Sequence, residues 1–259
     1  MPSELHTERR GDVLVLTISD PATRNTLSAQ VIAAGIEALG VSETNRDIRA
    51  LVLRGEGAHF CAGGNLQGLA ERRAAGRDAQ RQMLEHLHHL IEAIRACPKP
   101  VIAAVEGAAT GAGFSIALAC DLLVAASDAR FAMSYGKLGL SPDGGATWSL
   151  AHALPRQMAQ RMLWLAEPVT AETLHAHGIV TEVAAPGAAF ERALALAAGL
   201  SAMAPNALSS AKELLQQAPG QSLAAQLATE RDHFIDNLFD DNAGEGIAAF
   251  LGKRSPRFR

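Results

Sequence analysis

Lys99-Pro100-Val101-Ile102-Ala103-Ala104-Val105-Glu106-Gly107, running on to Gly111-Ala112-Gly113, is the stretch from which the fold is read. Five consecutive aliphatics between Pro100 and Gly107 make a buried strand, of the kind found in sheets covered on both faces. A small-residue helix then follows to Cys120. On the N-terminal side, Asp12 to Ser19 alternates apolar and polar residues as a strand does. Ser28 to Leu39 sets Val31, Ile32, Ile36 and Leu39 on one helical face. Ile48 to Leu53 is a short apolar strand that feeds a glycine-rich segment, Gly55 to Gly68. Between Gln80 and Ala96, Met83, Leu87, Leu90 and Ile94 recur at helical spacing until Pro98 and Pro100 end the helix. On the C-terminal side, Leu122 to Ala126 is a further strand. From Gly144 the chain reads as helical except for a short strand at Ile179 to Val183. Strands alternating with helices predict an α/β unit followed by a helical portion.

Composition removes several classes of function. Of 259 residues, 48% are hydrophobic but only 4% aromatic (eight Phe, two Trp, one Tyr), so alanine and branched aliphatics must build the core. Size scaling predicts a folded surface of about 11,000 Å² against about 39,000 Å² unfolded, enough for one large core. Twenty-three Lys and Arg against 27 Asp and Glu give a net charge of −4. With no basic stripe interleaved with aromatics, nucleic-acid binding is not expected. The one dense basic cluster, Lys253 to Arg259, reads as a solvated tail. Met1 to Asp12 is too polar for a signal peptide. The longest uncharged stretch, Ala193 to Ala211, carries Pro205, Asn206 and three serines and makes a poor membrane span. Cys61, Cys97 and Cys120 are odd in number and far apart, which suggests neither disulfides nor a zinc site and fits a cytoplasmic protein.

Two glycine-rich segments each follow an apolar strand and open a helix. Gly107 to Gly113 lacks the Lys-Ser/Thr ending of a phosphate loop and does not match GxGxxG. Such turns can instead present backbone N–H groups at a helix start, and two converging donors make an oxyanion hole. Close helix–strand packing accounts for the glycines equally well.

His59-Phe60-Cys61-Ala62-Gly63-Gly64-Asn65-Leu66, then Lys99 to Gly107, then Gly111-Ala112-Gly113 resemble the crotonase (enoyl-CoA hydratase/isomerase) superfamily. Cys120-Asp121, Leu138-Gly139-Leu140-Ser141-Pro142 and Gly246-Ile247-Ala248-Ala249-Phe250 extend the resemblance over nearly the whole chain from Asp12. It implies a spiral of ββα turns over residues 1–195 and a C-terminal helical region, 196–259, that forms homotrimers or dimers of trimers. It also implies acyl-CoA thioester activation, with the thioester carbonyl held by the N–H groups at Gly64 and Ala112. CoA enters as part of the substrate; no other cofactor and no metal is implied. Ala62, Asn65 and Leu66 then border the acyl-CoA site. The turn Arg24-Asn25-Thr26-Leu27 lies near CoA, with Arg24 and Lys253 positioned for its phosphates, Lys253 by way of a neighbouring subunit.

The sequence departs from the well-known hydratases of that family where they carry two glutamates. Ser115 and Tyr135 stand at the matching positions, and neither is a base near neutral pH. Asp143, in Leu140-Ser141-Pro142-Asp143-Gly144-Gly145, matches an aspartate used by other branches for proton transfer or nucleophilic attack. One carboxylate suffices to move a double bond. The alternative for Asp143 is an ordinary helix start, with Ser141 as N-cap and Pro142 in the first turn. Trp148, five residues on, is a candidate wall of the acyl pocket or a plain core residue. His86 and His89 have chelating spacing but no accompanying ligand set, and Cys61 reads as packing rather than a nucleophile. The expected reaction is double-bond isomerisation of an unsaturated acyl-CoA. The alternatives are hydration with non-standard residues, hydrolysis through Asp143, and acyl-CoA binding without catalysis.

Overall fold

The polar segment before Asp12 forms an edge strand, β1 (Glu4–Arg10), paired antiparallel with β2 (Val13–Ser19) in the register Glu4↔Ser19 to Arg10↔Val13. The computed structural model describes residues 3–259, so Met1 and Pro2 of that segment lie outside the described residues. Helix α1 (Ala29–Thr44) follows, capped by Ser28, whose hydroxyl accepts from the Val31 N–H. Next come β3 (Ala50–Gly55), α2 (Leu66–Ala75), α3 (Arg77–Ala96), β4 (Val101–Val105), β5 (Ala108–Thr110), α4 (Ala112–Ala119), β6 (Leu122–Ala126) and β7 (Arg130–Ala132). The second half contains α5 (Ala146–Ala153), α6 (Arg156–Leu165), β8 (Val169–Thr170), α7 (Ala171–Ala176), β9 (Glu182–Ala184), α8 (Ala189–Ser201), α9 (Pro205–Gln217), α10 (Leu223–Leu238) and α11 (Asp241–Leu251).

The main sheet runs β1-β2-β3-β4-β6-β9, parallel except for β1. A smaller sheet, β5-β7-β8, lies on the next strand position of each turn. Isolated parallel bridges, Leu27↔Gly64 and Cys61↔Ala109, continue that second ladder toward the N-terminus. Each spiral turn therefore contributes one strand to the main sheet, a short strand or bridge to the second, and a helix. This is the ββα spiral that the motifs imply.

Alanine does the packing that the aromatic shortage predicts. α8 presents Ala189, Ala193, Ala197 and Ser201, spaced four residues apart, to the sheet over β3, β4 and β6. α8 also crosses the expected boundary at 195/196, so the sheet-packed unit continues to Ser201. Only Phe60, Phe114 and Phe131 are fully buried aromatics, and the last two rings meet at 5.0 Å. α9 is tied to the core by Lys212, whose ammonium bonds the Asp121 carboxylate at 2.8 Å and the Ile94 carbonyl at 3.2 Å. Asp121 also accepts from the Val101 N–H, so the Cys120-Asp121 and Lys99-Pro100-Val101 motifs meet in one structural latch. Among the described residues, no single helix is long and apolar enough to cross a membrane.

The last two helices are different. Phe234, Phe239 and Phe250, with Leu223, Leu227 and Ile247, lie exposed on α10 and α11. The chain's accessible surface is 13,720 Å², well above the roughly 11,000 Å² expected of a compact monomer of this size.

Candidate active site

Three segments converge at the start of α4. The first is the turn after β2, where Arg24 and Asn25 both adopt left-handed backbone conformations. The Arg24 carbonyl accepts from the Ala62 N–H at 2.9 Å, and the Leu27 N–H bonds the Gly63 carbonyl at 2.8 Å. The second is Phe60 to Asn65. Here the Cys61 carbonyl accepts from the Thr110 N–H at 2.9 Å, and the Ala62 carbonyl accepts from the Thr110 hydroxyl at 3.0 Å. The third is α4 itself. A Cβ on Gly63, whose φ is +85°, would lie 3.0 Å from the Ala112 nitrogen, so the two segments touch there.

The N–H groups of Gly64 and Ala112 make no hydrogen bond among the described residues. Gly64 is exposed and Ala112 opens α4, so neither N–H is used by the fold. Glycine-rich packing and donor presentation, left open by the sequence, occur together: Gly63 and Gly113 provide the close approach, while Gly64 and Ala112 keep free N–H groups.

Asp143 is linked to the start of α4 through Tyr135. The Tyr135 hydroxyl, in the 3-10 turn Ser134–Leu138, donates to Asp143 Oδ1 at 2.6 Å. The Tyr135 ring lies over Gly111, where an added Cβ would be 3.7 Å from the phenol carbon. Ser115 Oγ stands 3.0 Å from the Asp143 carbonyl and 3.3 Å from the Gly111 carbonyl, and shares its proton between them. Ser115 is 1% exposed, and its hydroxyl fixes the loop that carries Asp143. Burial raises the Asp143 carboxyl above its ordinary range, opposed by the Tyr135 hydrogen bond and by charge on His88 of α3. Burial likewise raises the Tyr135 phenol, reinforced by the negative charge of Asp143.

The helix-start alternative for Asp143 does not hold. α5 begins only at Ala146, with Gly145 at its N-cap and no side-chain cap. Gly144 and Gly145 both have positive φ, and the space of a Gly144 Cβ is occupied by Ser115. The glycine pair breaks the chain after Asp143 and leaves the carboxylate free of capping duty.

The other expected residues divide. Asn65 caps α2, accepting from the Gly68 N–H at 3.1 Å, and its amide reaches Thr26 Oγ1 at 3.5 Å. Leu66 is exposed beside it, and Ala62 is half-buried. Arg24 is exposed on the turn that holds Ala62. Trp148 is exposed and so is no core residue; its ring lies 4.5 Å from the Arg95 guanidinium and 4.1 Å from the His152 ring. Lys253 is exposed at the end of α11, and its ammonium has no hydrogen bond among the described residues. Burial pushes the Cys61 thiol up to about 12, which leaves it inert as a nucleophile. No group of three metal-ligating side chains occurs among the described residues.

Asn25 was not singled out by the sequence reading. Fully buried, it accepts from the Asp20 N–H and donates to the Glu56 and His59 carbonyls, joining the first turn to the glycine-rich segment. The available signal was an asparagine, a residue suited to left-handed turns, between Arg24 and Thr26.

These turns, spiral and residues define a class. The family model described as enoyl-CoA hydratase/isomerase matches residues 8–259, and the chain belongs to that family. The 2,3-dehydroadipyl-CoA hydratase of Escherichia coli (strain K12) is 36% identical over 259 residues, covering 99% of both chains. The 1,2-epoxyphenylacetyl-CoA isomerase of the same strain is 34% identical, over 95% of this chain and 94% of that protein. Among solved structures, an enoyl-CoA hydratase from Polaromonas sp. JS666 superposes with a TM-score of 0.98 at 55% identity, covering 99% of this chain and all of that one.

Proposed function

We propose that this chain isomerises double bonds in unsaturated acyl-CoA thioesters by single-carboxylate proton transfer. Asp143 is the base; the Gly64 and Ala112 N–H groups hold the thioester oxygen as negative charge develops on it. Asp143 moves a proton between Cα and Cγ: it takes the proton from Cα of a 3-enoyl thioester, or from Cγ of a 2-enoyl one, the electrons spread into the dienolate, and the same carboxyl returns the proton at the other carbon. The observation that carries this reading is a half-buried carboxylate bonded to Tyr135, whose ring packs on Gly111, the residue before the unbonded Ala112 N–H; burial also raises the proton affinity of that carboxylate. A raised carboxyl suits the task, since a general base works best near the ambient pH. CoA enters with the substrate, with Arg24 and a neighbouring copy's Lys253 near its phosphates. A cytoplasmic setting agrees with three unpaired cysteines.

A second reading, hydration with Asp143 activating water and Tyr135 assisting, draws on the hydratase names of the relatives. Two probes separate the readings. With 3-hexenoyl-CoA, isomerisation brings the double bond into conjugation and raises the thioester absorbance. With crotonyl-CoA, hydration removes that absorbance. Rapid loss from crotonyl-CoA sinks the isomerase reading, and binding of both probes without change in either sinks both enzymatic readings.

The exposed apolar residues of α10 and α11 support self-association as a homotrimer or dimer of trimers. Phe239 and Phe250, 83% and 85% exposed, are large apolar groups that a monomer would leave in water. Sedimentation equilibrium is expected to give three or six times the chain mass; a monomer at micromolar concentration would overturn this proposal.

A further inference from the structure

We infer that Tyr135 is a positioning residue for Asp143, holding Oδ1 so that Oδ2 alone carries the transferred proton. This rests on the reading of Asp143 as the base. The phenol reaches Oδ1 at 2.6 Å from a turn that is itself fixed, because the Leu140 N–H bonds the Tyr135 carbonyl at 3.1 Å. The Asp143 main chain is held from the other side by Ser115 Oγ and by the Ala146 N–H, both on its carbonyl. With backbone and one carboxylate oxygen both secured, side-chain rotation would break a hydrogen bond of a charged acceptor, which is among the stronger kind.

The groups around the carboxylate are few. The 3-10 turn contributes Tyr135, α4 contributes the neutral Ser115, α3 contributes His88, and α5 with its N-cap Gly145 brings only the uncharged Gly145 and Ala146. Tyr135 therefore has two effects on Asp143: it fixes the angle of attack, and it stabilises the anion against burial. Its own proton stays in place, since burial and the neighbouring carboxylate hold the phenol well above its usual range.

Tyr135 is the only tyrosine in the chain, which makes the contact directly observable. Protein grown with tyrosine carrying carbon-13 at Cζ gives one tyrosine resonance. Between about pH 4 and about pH 9, that line is expected to follow a single titration, with a midpoint above that of an ordinary carboxyl. In Asp143→Asn the titration is expected to vanish. In Tyr135→Phe, the acidic limb of kcat/KM for 3-hexenoyl-CoA is expected to move to higher pH, with kcat reduced about tenfold below it and KM little changed. A tyrosine line that ignores pH, or that titrates unchanged in Asp143→Asn, overturns the contact. An unmoved acidic limb in Tyr135→Phe overturns the positioning role while leaving Asp143 as base. Full turnover by Asp143→Asn removes the base reading itself, and with it the positioning role, whatever the tyrosine line does.

Discussion

Asp143→Asn is expected to lower turnover of a responsive enoyl-CoA by about a thousandfold, within the range that one positioned acid–base group supplies. The amide oxygen of Asn can still accept from the Tyr135 hydroxyl, so shape and loop anchoring survive and only the proton acceptor is lost. The same substitution is expected to stabilise the fold. Burial raises the Asp143 carboxyl in the folded chain above its unfolded value, so the folded state favours the neutral acid. Wild-type stability then falls as pH rises from the unfolded carboxyl value, near pH 4, through the folded one, and the full deficit is present above both. Asn never ionises and escapes this loss. At about pH 8 the variant should gain about 0.5–2 kcal/mol, typical of relieving a functional site, or about 2–8 °C in Tm. Calorimetric scans should find the gap closing toward about pH 4. A variant that keeps wild-type turnover, or whose stability gain is independent of pH, would contradict this account.

The sequence allowed β4 and β6 to be read to the residue, because both are runs of aliphatics in the middle of a parallel sheet. It gave no sign of β1, whose seven residues are nearly all exposed and charged or polar. That edge strand exists through its backbone ladder to β2, and side-chain periodicity carries no trace of such a ladder. β5 and β7, three residues each, were hidden for a related reason: they exist because successive spiral turns stack, a non-local fact.

The site divides along the same line. The two glycine-rich strand–helix turns were legible as a local signal, but packing and donor presentation stayed open there, and Gly64 and Ala112 were named through the family resemblance. Asp143 was legible as a candidate only, since Ser141-Pro142-Asp143 also spells a helix start. Gly144, packed on Ser115 from 29 residues away, and Gly145 at the N-cap delay α5 to Ala146 and so remove the helix-start alternative. For Trp148 the sequence offered a pocket wall or a core residue; the start of α5 at Ala146 leaves the indole 46% exposed against Arg95 and His152, which removes the core alternative.

Gly113→Ala tests the donors from behind. Gly113 is the second residue of α4 and has no positive φ, so helix propensity alone predicts that alanine would stabilise it by about 0.5–1 kcal/mol. Packing predicts the reverse. A Cβ there would lie 2.3 Å from the Cys61 carbonyl oxygen and 2.8 Å from Cys61 Cβ. Both are backbone or near-backbone atoms, so the helix and the glycine-rich strand must separate by about 1 Å to reach ordinary contact. Overpacking of this kind costs about 1–3 kcal/mol, enough to outweigh the propensity gain. The functional cost should be larger than the stability cost, because the separating elements each carry one donor: Gly64 lies three residues beyond Cys61, and Ala112 immediately precedes Gly113. A misplacement of about 1 Å is worth about a hundredfold in rate, and loss of one donor about a hundred- to a thousandfold. The expected result is therefore a folded protein, less stable in urea, with kcat down at least about a hundredfold and KM changed far less, since the donors engage most strongly as charge reaches the thioester oxygen. Wild-type kcat in a folded Gly113→Ala protein would mean that the Gly64 and Ala112 N–H groups take no part in the chemistry.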